Sequence, residues 1–146
     1  MNHIKSLINS QSDLEKAKAI YEYTAKTVAY DVDKLNNSTF EWDDSALKTL
    51  QLKKGVCQDY AYLAAALLRA SNIEARFIAG KAGEGASKEN HAWIEAKIND
   101  EWIIMDPTWG SGYIQDDTFV AKYTDKYFNP DEAEFNQTHV REKPEY

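Results

Sequence analysis

The chain has 146 residues, of which 43% are hydrophobic and 28% are charged, a balance typical of a globular domain rather than a disordered or fibrous protein. Its net charge of −7 argues against a nucleic-acid partner, because binding to a phosphate backbone needs a positive surface. A single cysteine excludes an internal disulfide and any zinc or iron–sulfur site built from several cysteines. We therefore expect one domain over residues 1–146, a monomer with no membrane segment and no signal peptide at its start. One free cysteine is compatible with the cytosol and with a secreted enzyme, so the compartment stays open.

The first predicted element is a helix that starts at a capping box, Ser12-Asp13-Leu14-Glu15. Apolar residues then recur every three or four positions and predict one buried stripe that continues to about Tyr30. The segment from Tyr30 to Phe40 is polar and rich in turn residues, which predicts a loop.

A second helix is predicted from Cys57, where the sequence CQDYAYLAAALLRA contains no glycine or proline. Because it is apolar on most faces, we expect it at the centre of the domain. Cys57 is its first residue and follows Gly55 and Val56, so the free N–H groups of the first turn favour a thiolate there. A thiolate is the nucleophile that acyl transfer needs. The alternative is that a lone cysteine serves as a small buried hydrophobic residue.

The next residues predict a strand over 73–80 and a flexible loop over 81–90, which contains two glycines. Further along, residues 119–123 predict another strand. Residues 130–135 predict a short final helix with proline in its first turn.

A hairpin is predicted from His91 to Asp106, with Asn99-Asp100 as a two-residue turn between alternating strands. That turn places Trp93 opposite Asp106 and makes His91 the diagonal neighbour of Asp106 on the same face. Diagonal neighbours are close enough for an imidazole and a carboxylate to meet, so the turn predicts a His91–Asp106 contact. The plain alternative is a solvated polar face, with Asp106 as a turn carboxylate before Pro107.

Together, Cys57, His91 and Asp106 form the set that cysteine-dependent acyl transfer requires. The histidine takes or holds the thiol proton, and the aspartate orients the imidazole and supports its charge. We therefore interpret these three residues as a candidate catalytic group.

Three motifs in this order resemble the transglutaminase-like core family. They are Gly55-Val56-Cys57-Gln58-Asp59-Tyr60-Ala61, Asn90-His91-Ala92-Trp93, and Trp102-Ile103-Ile104-Met105-Asp106-Pro107-Thr108-Trp109. The leading helix resembles the same family, and Tyr127-Phe128, Pro130, Phe135 and His139 resemble the tail of its bacterial and kyphoscoliosis-peptidase-like members. The resemblance covers roughly residues 13–140.

The resemblance implies an α+β, papain-like transglutaminase core, with a central helix packed on a small antiparallel sheet. It implies Cys57 as nucleophile, His91 as general acid and base, and Asp106 as the orienting carboxylate. The implied reaction attacks a protein or peptide amide and forms an acyl-thioester, which is released to water or to an amine. This mechanism needs no cofactor and no metal.

The second donor of an oxyanion hole is open between three residues. Gln51 lies six positions before Cys57, the spacing of the oxyanion glutamine in papain-like proteases, whereas Trp42 and Tyr30 are the aromatic alternatives. Trp93 is expected to wall the cleft beside His91.

Other functions and sites stay as alternatives. The same fold can serve as a non-catalytic module that binds a peptide or a cell-wall fragment. Asp116, Asp117 and Asp125 do not form a regular oxygen-ligand loop, so we expect no calcium site. His3 and His139 have no cysteine or acidic grouping that would make a metal site, and we expect them to be structural or exposed.

Overall fold

The computed structural model describes residues 12–31, 49, 53–83, 89–116 and 118–145. Its helices are α1 (Asp13–Thr27), α2 (Cys57–Ala70), α3 (Pro107–Ser111) and α4 (Glu132–Phe135). Its strands are β1 (Ala29–Tyr30), β2 (Lys54–Gly55), β3 (Ala75–Ala82), β4 (Glu89–Ile98), β5 (Glu101–Met105), β6 (Gly112–Gln115), β7 (Thr118–Ala121) and β8 (His139–Glu145). In the described part of the chain, no helix has the length and apolar character needed to cross a membrane.

The first helix starts where the capping box predicts. The Ser12 hydroxyl accepts a hydrogen bond from the N–H of Glu15 at 3.2 Å. The helix ends at Thr27, three residues before Tyr30, because Val28 adopts an extended backbone. The chain then enters β1, which pairs in parallel with β2 and brings Tyr30 beside Gly55.

The main sheet has the order β5-β4-β3-β8, and every neighbouring pair is antiparallel. Helix α2 packs on one face of this sheet, mainly against β4 and β3, as the apolar sequence of the helix predicts. A smaller cluster on the opposite face joins Ile78, Trp93 and Phe135. The sheet is therefore covered by α2 on one side and partly by the C-terminal segment on the other.

The predicted hairpin is confirmed in its register. Asn99 and Asp100 have φ values of 52° and 67°, the two positive values that a tight hairpin turn of type I′ requires. Ile98 faces Glu101 and Ile94 faces Met105, so the two strands are aligned as the turn predicts.

The sequence-based boundaries differ from the structure mainly in the second half of the chain. Both ends of the loop expected over 81–90 belong to strands, because β3 continues to Ala82 and β4 begins at Glu89. The strand expected near residue 120 is β7, whose partner β6 was not predicted. Strand β8 was also not predicted, because its sequence HVREKPE is charged and contains a proline, a composition that is tolerated at a sheet edge.

Candidate active site

Cys57 is the first residue of α2 and lies half-buried at the positive end of that helix. The Asp59 carboxylate turns back and accepts a hydrogen bond from the N–H of Val56 at 2.8 Å, which fixes the start of the helix. This fold-back requires glycine at position 55, since an added Cβ would lie 2.5 Å from the Cβ of Asp59. The sequence Gly55-Val56-Cys57 thus fixes the first turn of α2 and with it the position of the Cys57 side chain.

His91 and Asp106 meet as the hairpin register predicts. His91 Nε2 lies 2.8 Å from Asp106 Oδ2, a distance typical of a charge-assisted hydrogen bond. Asp106 follows the last residue of β5 and also caps α3, where its Oδ1 accepts from the N–H of Trp109 at 3.3 Å. Both interpretations of Asp106, as a partner of His91 and as a turn carboxylate, therefore hold at once.

The Asp106 carboxylate is fully buried and has a second imidazole partner. His139 Nε2 lies 2.7 Å from the same Oδ2 that His91 contacts. Burial alone would raise the pKa of Asp106, but the charge of His91 and the hydrogen bonds from His139 and His91 outweigh it. They hold the pKa of this carboxyl well below its ordinary value of 3.8.

The imidazole of His91 is held in its charged form. Burial would lower its pKa, but the charge of Asp106 and its hydrogen bond outweigh that effect, and Cys57 adds to them. Together they raise the pKa of His91 from an ordinary 6.5 to about 10. Because Nε2 is engaged by Asp106, Nδ1 is the nitrogen left for the Cys57 thiol.

Cys57 and His91 open into a cavity of about 870 Å³. Much of its wall is aromatic, from Tyr30, Trp109, Tyr113, Phe119 and Tyr127. Among the described residues that line it, Glu89 is the only carboxylate, and none is a lysine or an arginine. The arrangement exposes a thiol and an imidazole to a largely uncharged cleft.

Tyr30 lies in this wall and is placed there by the pairing of β1 with β2. Burial, followed by the charges of Cys57, Glu89 and Asp59, raises the pKa of the Tyr30 hydroxyl far above its usual range. The hydroxyl therefore keeps its proton at neutral pH and is available as a donor.

The expectation that Trp93 walls the cleft is not what the structure shows. Trp93 is buried behind His91, where its ring packs edge-on against Phe135 and His139, and it is not among the cavity-lining residues. The C-terminal segment covers that face of the sheet, which periodicity in β4 alone cannot reveal. Trp109, from the start of α3, lines the cavity instead. Gln51 and Trp42 lie outside the described residues, so the structure places neither.

His139 is the residue of this cluster that sequence reasoning missed. It was expected only to be structural or exposed, and its fully buried contact with Asp106 was not predicted. The contact is long-range and depends on β8 joining β3. The available signal was the similarity of the C-terminal residues to the family tail, which gave His139 no partner.

His91, Asp106 and His139 are also the described residues whose types and proximity could suit a metal ion. Their ligand atoms, however, already engage one another through hydrogen bonds of 2.7 and 2.8 Å. Both imidazoles present Nε2 to one oxygen, and two of the three side chains are fully buried. The donor set fits a hydrogen-bonded network better than an open metal site.

Comparison with known proteins places this geometry in a family. The model of the Transglutaminase-like superfamily matches residues 3–107, which include Cys57, His91 and Asp106. Kyphoscoliosis peptidase of Mus musculus is 30% identical over 146 residues, covering 91% of this chain and 22% of that protein. The chain therefore spans about a fifth of the length of this relative.

Two solved structures share the fold. A proposed cysteine protease from Cytophaga hutchinsonii is 35% identical, with a TM-score of 0.55 over 64% of this chain and 30% of that chain. A structure described as a TGase is 20% identical, with a TM-score of 0.59 over 87% of this chain and 34% of that chain. These likenesses confirm the predicted α+β transglutaminase-like fold.

Proposed function

The chain belongs to the transglutaminase-like superfamily, and from this membership we propose that it is a cysteine-dependent amide hydrolase or acyl transferase. Cys57 is the nucleophile, His91 the general acid and base, and Asp106 the residue that orients His91. The observation that carries this proposal is the charged His91, bonded to buried Asp106 on one side and adjacent to Cys57 on the other. A positive imidazole beside a thiol at a helix start stabilises the thiolate, which is the reactive form.

The reaction starts when the Cys57 thiolate attacks the carbonyl carbon of an amide. A C–S bond forms, the C–N bond breaks, and His91 gives its proton to the departing amine. In the second half, water or another amine attacks the acyl-thioester and gives a proton to His91, and Cys57 is regenerated. Water produces hydrolysis, and an amine produces transamidation.

The negative oxygen that develops during each attack needs two donors. The N–H of Cys57 belongs to the first turn of α2 and has no partner within the helix, so it is the first donor. The Tyr30 hydroxyl, protonated and in the cavity wall, is the second donor that we propose from the described residues. Tyr30→Phe should lower the rate of acylation and leave the fold intact.

We expect the substrate to be a protein or peptide amide with uncharged side chains near the reacting bond. The aromatic wall of the cavity provides apolar contact area, and among its described residues there is no lysine or arginine to pair with an acidic substrate, while His91 is already paired with Asp106. The net charge of −7 adds a weak bias in the same direction.

The first experiment measures the alkylation rate of Cys57 by iodoacetamide from pH 4 to pH 9, in the wild type and in His91→Ala. Cys57 is the only cysteine, so all label reports on it. We expect reactivity to persist well below about 8.5, the range of an ordinary thiol, and to be lost in His91→Ala. The same chain unfolded in urea supplies the reference for an ordinary thiol.

If the dependence of the alkylation rate on pH is the same in His91→Ala as in the wild type, the proposal is contradicted. That result would favour the alternative, a non-catalytic module that binds a peptide or a cell-wall fragment. If the alkylation profile does depend on His91, a second experiment follows. Peptide amides with an uncharged residue before the scissile bond are assayed with and without a primary amine. Cleavage without amine incorporation identifies a hydrolase, whereas incorporation identifies an acyl transferase. Cys57→Ser is the inactive control.

A further inference from the structure

His139 occupies a position that the proposed reaction does not use. Its side chain is fully buried, and its Nε2 lies within hydrogen-bond distance of Asp106 Oδ2, the same oxygen that is bonded to His91. We propose that His139 is a positioning residue, which donates to Asp106 and holds the carboxylate in the orientation that His91 needs. This inference rests on the proposed function for its catalytic meaning, although the contact with Asp106 can be tested by itself.

The chemistry of a buried carboxylate explains why a second donor is needed. A carboxylate removed from water loses its solvation, and protein donors must replace it. Asp106 receives one weak backbone donor at 3.3 Å on Oδ1 and two short imidazole donors on Oδ2. If His91 were the only imidazole bonded to Asp106, the carboxylate could rotate together with the His91 ring and would not fix its orientation. A donor from another element prevents this rotation.

The fold holds the His139 ring through contacts around the imidazole. Its ring stacks on Phe135 with centroids 3.8 Å apart and lies 4.5 Å from the Trp109 ring. Its Nδ1 contacts the Thr138 hydroxyl at 2.9 Å, which leaves Nε2 for Asp106. Neither side of the imidazole is therefore free to turn away from the carboxylate.

The strand that carries His139 is itself anchored to the sheet. His139 pairs with Ala82 of β3, and two residues later the Arg141 guanidinium pairs with buried Glu95 of β4. A side chain at position 80 would lie 2.2 Å from the carbonyl oxygen of Val140, so glycine allows β8 to approach β3 closely. His139 also lies beyond the residues that the family model matches, which is why that match does not include it.

The first test compares two substitutions of His139 by the alkylation rate of Cys57 at neutral pH. His139→Phe keeps the aromatic packing and removes the donor, whereas His139→Gln can present an amide N–H to Asp106. We expect a loss of about tenfold in His139→Phe, the size of one hydrogen bond to a charged group. The rate in His139→Gln should return to within about threefold of the wild type. Phe135→Leu, which removes the stacked ring but no donor, is the packing control.

Equal losses in His139→Phe and His139→Gln would overturn the inference, because the donor would then be irrelevant. So would a loss in Phe135→Leu as large as that in His139→Phe, since packing would explain both. The effect must also depend on His91 and be absent in the His91→Ala background.

The second test needs no reactivity and separates this inference from the proposed function. His139→Phe should increase the unfolding equilibrium constant about tenfold in the wild type, but less than about threefold in the Asp106→Asn background. Equal effects in both backgrounds would refute the His139–Asp106 coupling, whatever Cys57 does. If the coupling is present while the alkylation rate of Cys57 is the same with and without His91, the proposed function is wrong. In that case the contact between His139 and Asp106 is still supported.

Discussion

Replacing Asp106 by asparagine tests the ion pair at the centre of the site. The substitution keeps the size of the side chain but removes the charge that faces His91 at 2.8 Å. Because Asp106 is fully buried, solvent cannot compensate His91 for this loss. Breaking a buried pair from one side costs about 3–5 kcal/mol of unfolding free energy, and we expect that loss near pH 6.

The dependence of this loss on pH follows from the two pKa shifts. The pKa of His91 is raised from 6.5 to about 10, so its stabilisation is complete below pH 6.5 and is lost as the pH rises toward 10. The pKa of Asp106 is lowered from 3.8, so its stabilisation is present above pH 3.8 and is lost on further acidification. The pair therefore contributes most between pH 3.8 and 6.5. Above that window its contribution falls by about 1.4 kcal/mol for each pH unit.

The assay is urea unfolding followed by tryptophan fluorescence at several pH values from 5 to 9. The free-energy difference between the wild type and Asp106→Asn should be largest at pH 5–6 and shrink steadily toward pH 9. Asp131→Asn is the matched control, because Asp131 also caps a helix but is exposed. A difference that stays constant from pH 6 to 9 would refute the reasoning, since His91 would then not be held protonated by Asp106.

Three further substitutions test how the surrounding structure supports the site, each by urea unfolding. Gly55→Ala should cost about 1–3 kcal/mol, because the new Cβ would lie 2.5 Å from the Cβ of Asp59; an unchanged midpoint would mean that the helix start is adaptable. Tyr60→Phe removes a buried hydroxyl that donates to the Val28 carbonyl at 2.8 Å, and should cost about 1–3 kcal/mol. Its control is Tyr113→Phe, at a half-exposed ring, which should change the free energy of unfolding by no more than about 0.5 kcal/mol; equal losses in the two variants would count against the hydrogen bond of Tyr60. Glu95→Gln should cost about 2–3 kcal/mol, less than a fully enclosed pair because its two arginine partners reach solvent, and a neutral result would show that the ion pairs add nothing.

The parts of the site that sequence predicts are those that local structure determines. The turn at Asn99-Asp100 fixes the register of the hairpin, and the register brings His91 to Asp106. The start of α2 at Cys57 follows from helix propensity and from the residues before it. Both depend on segments of fewer than about twenty residues, where turn chemistry and periodicity are informative.

The parts that sequence did not predict depend on which distant segment covers a surface. Trp93 lies on the same face of β4 as His91, which led to its prediction as a cleft residue, but the chain around Phe135 covers it. His139 belongs to a charged strand with a proline, and its partner is 33 residues away. Such contacts arise from the packing of whole elements, which a single sequence does not specify by local pattern.

The place of β8 in the sheet has a consequence for what the site needs in order to be complete. Residues 57–106 contain α2 and the β4–β5 hairpin, and with them Cys57, His91 and Asp106, whereas the second imidazole at the Asp106 carboxylate comes from β8. Strand β8 pairs along one edge of β3, and that pairing brings His139 to the carboxylate. Any state in which β8 is detached therefore leaves Asp106 with one imidazole donor rather than two, although all three residues of the proposed catalytic group are still present.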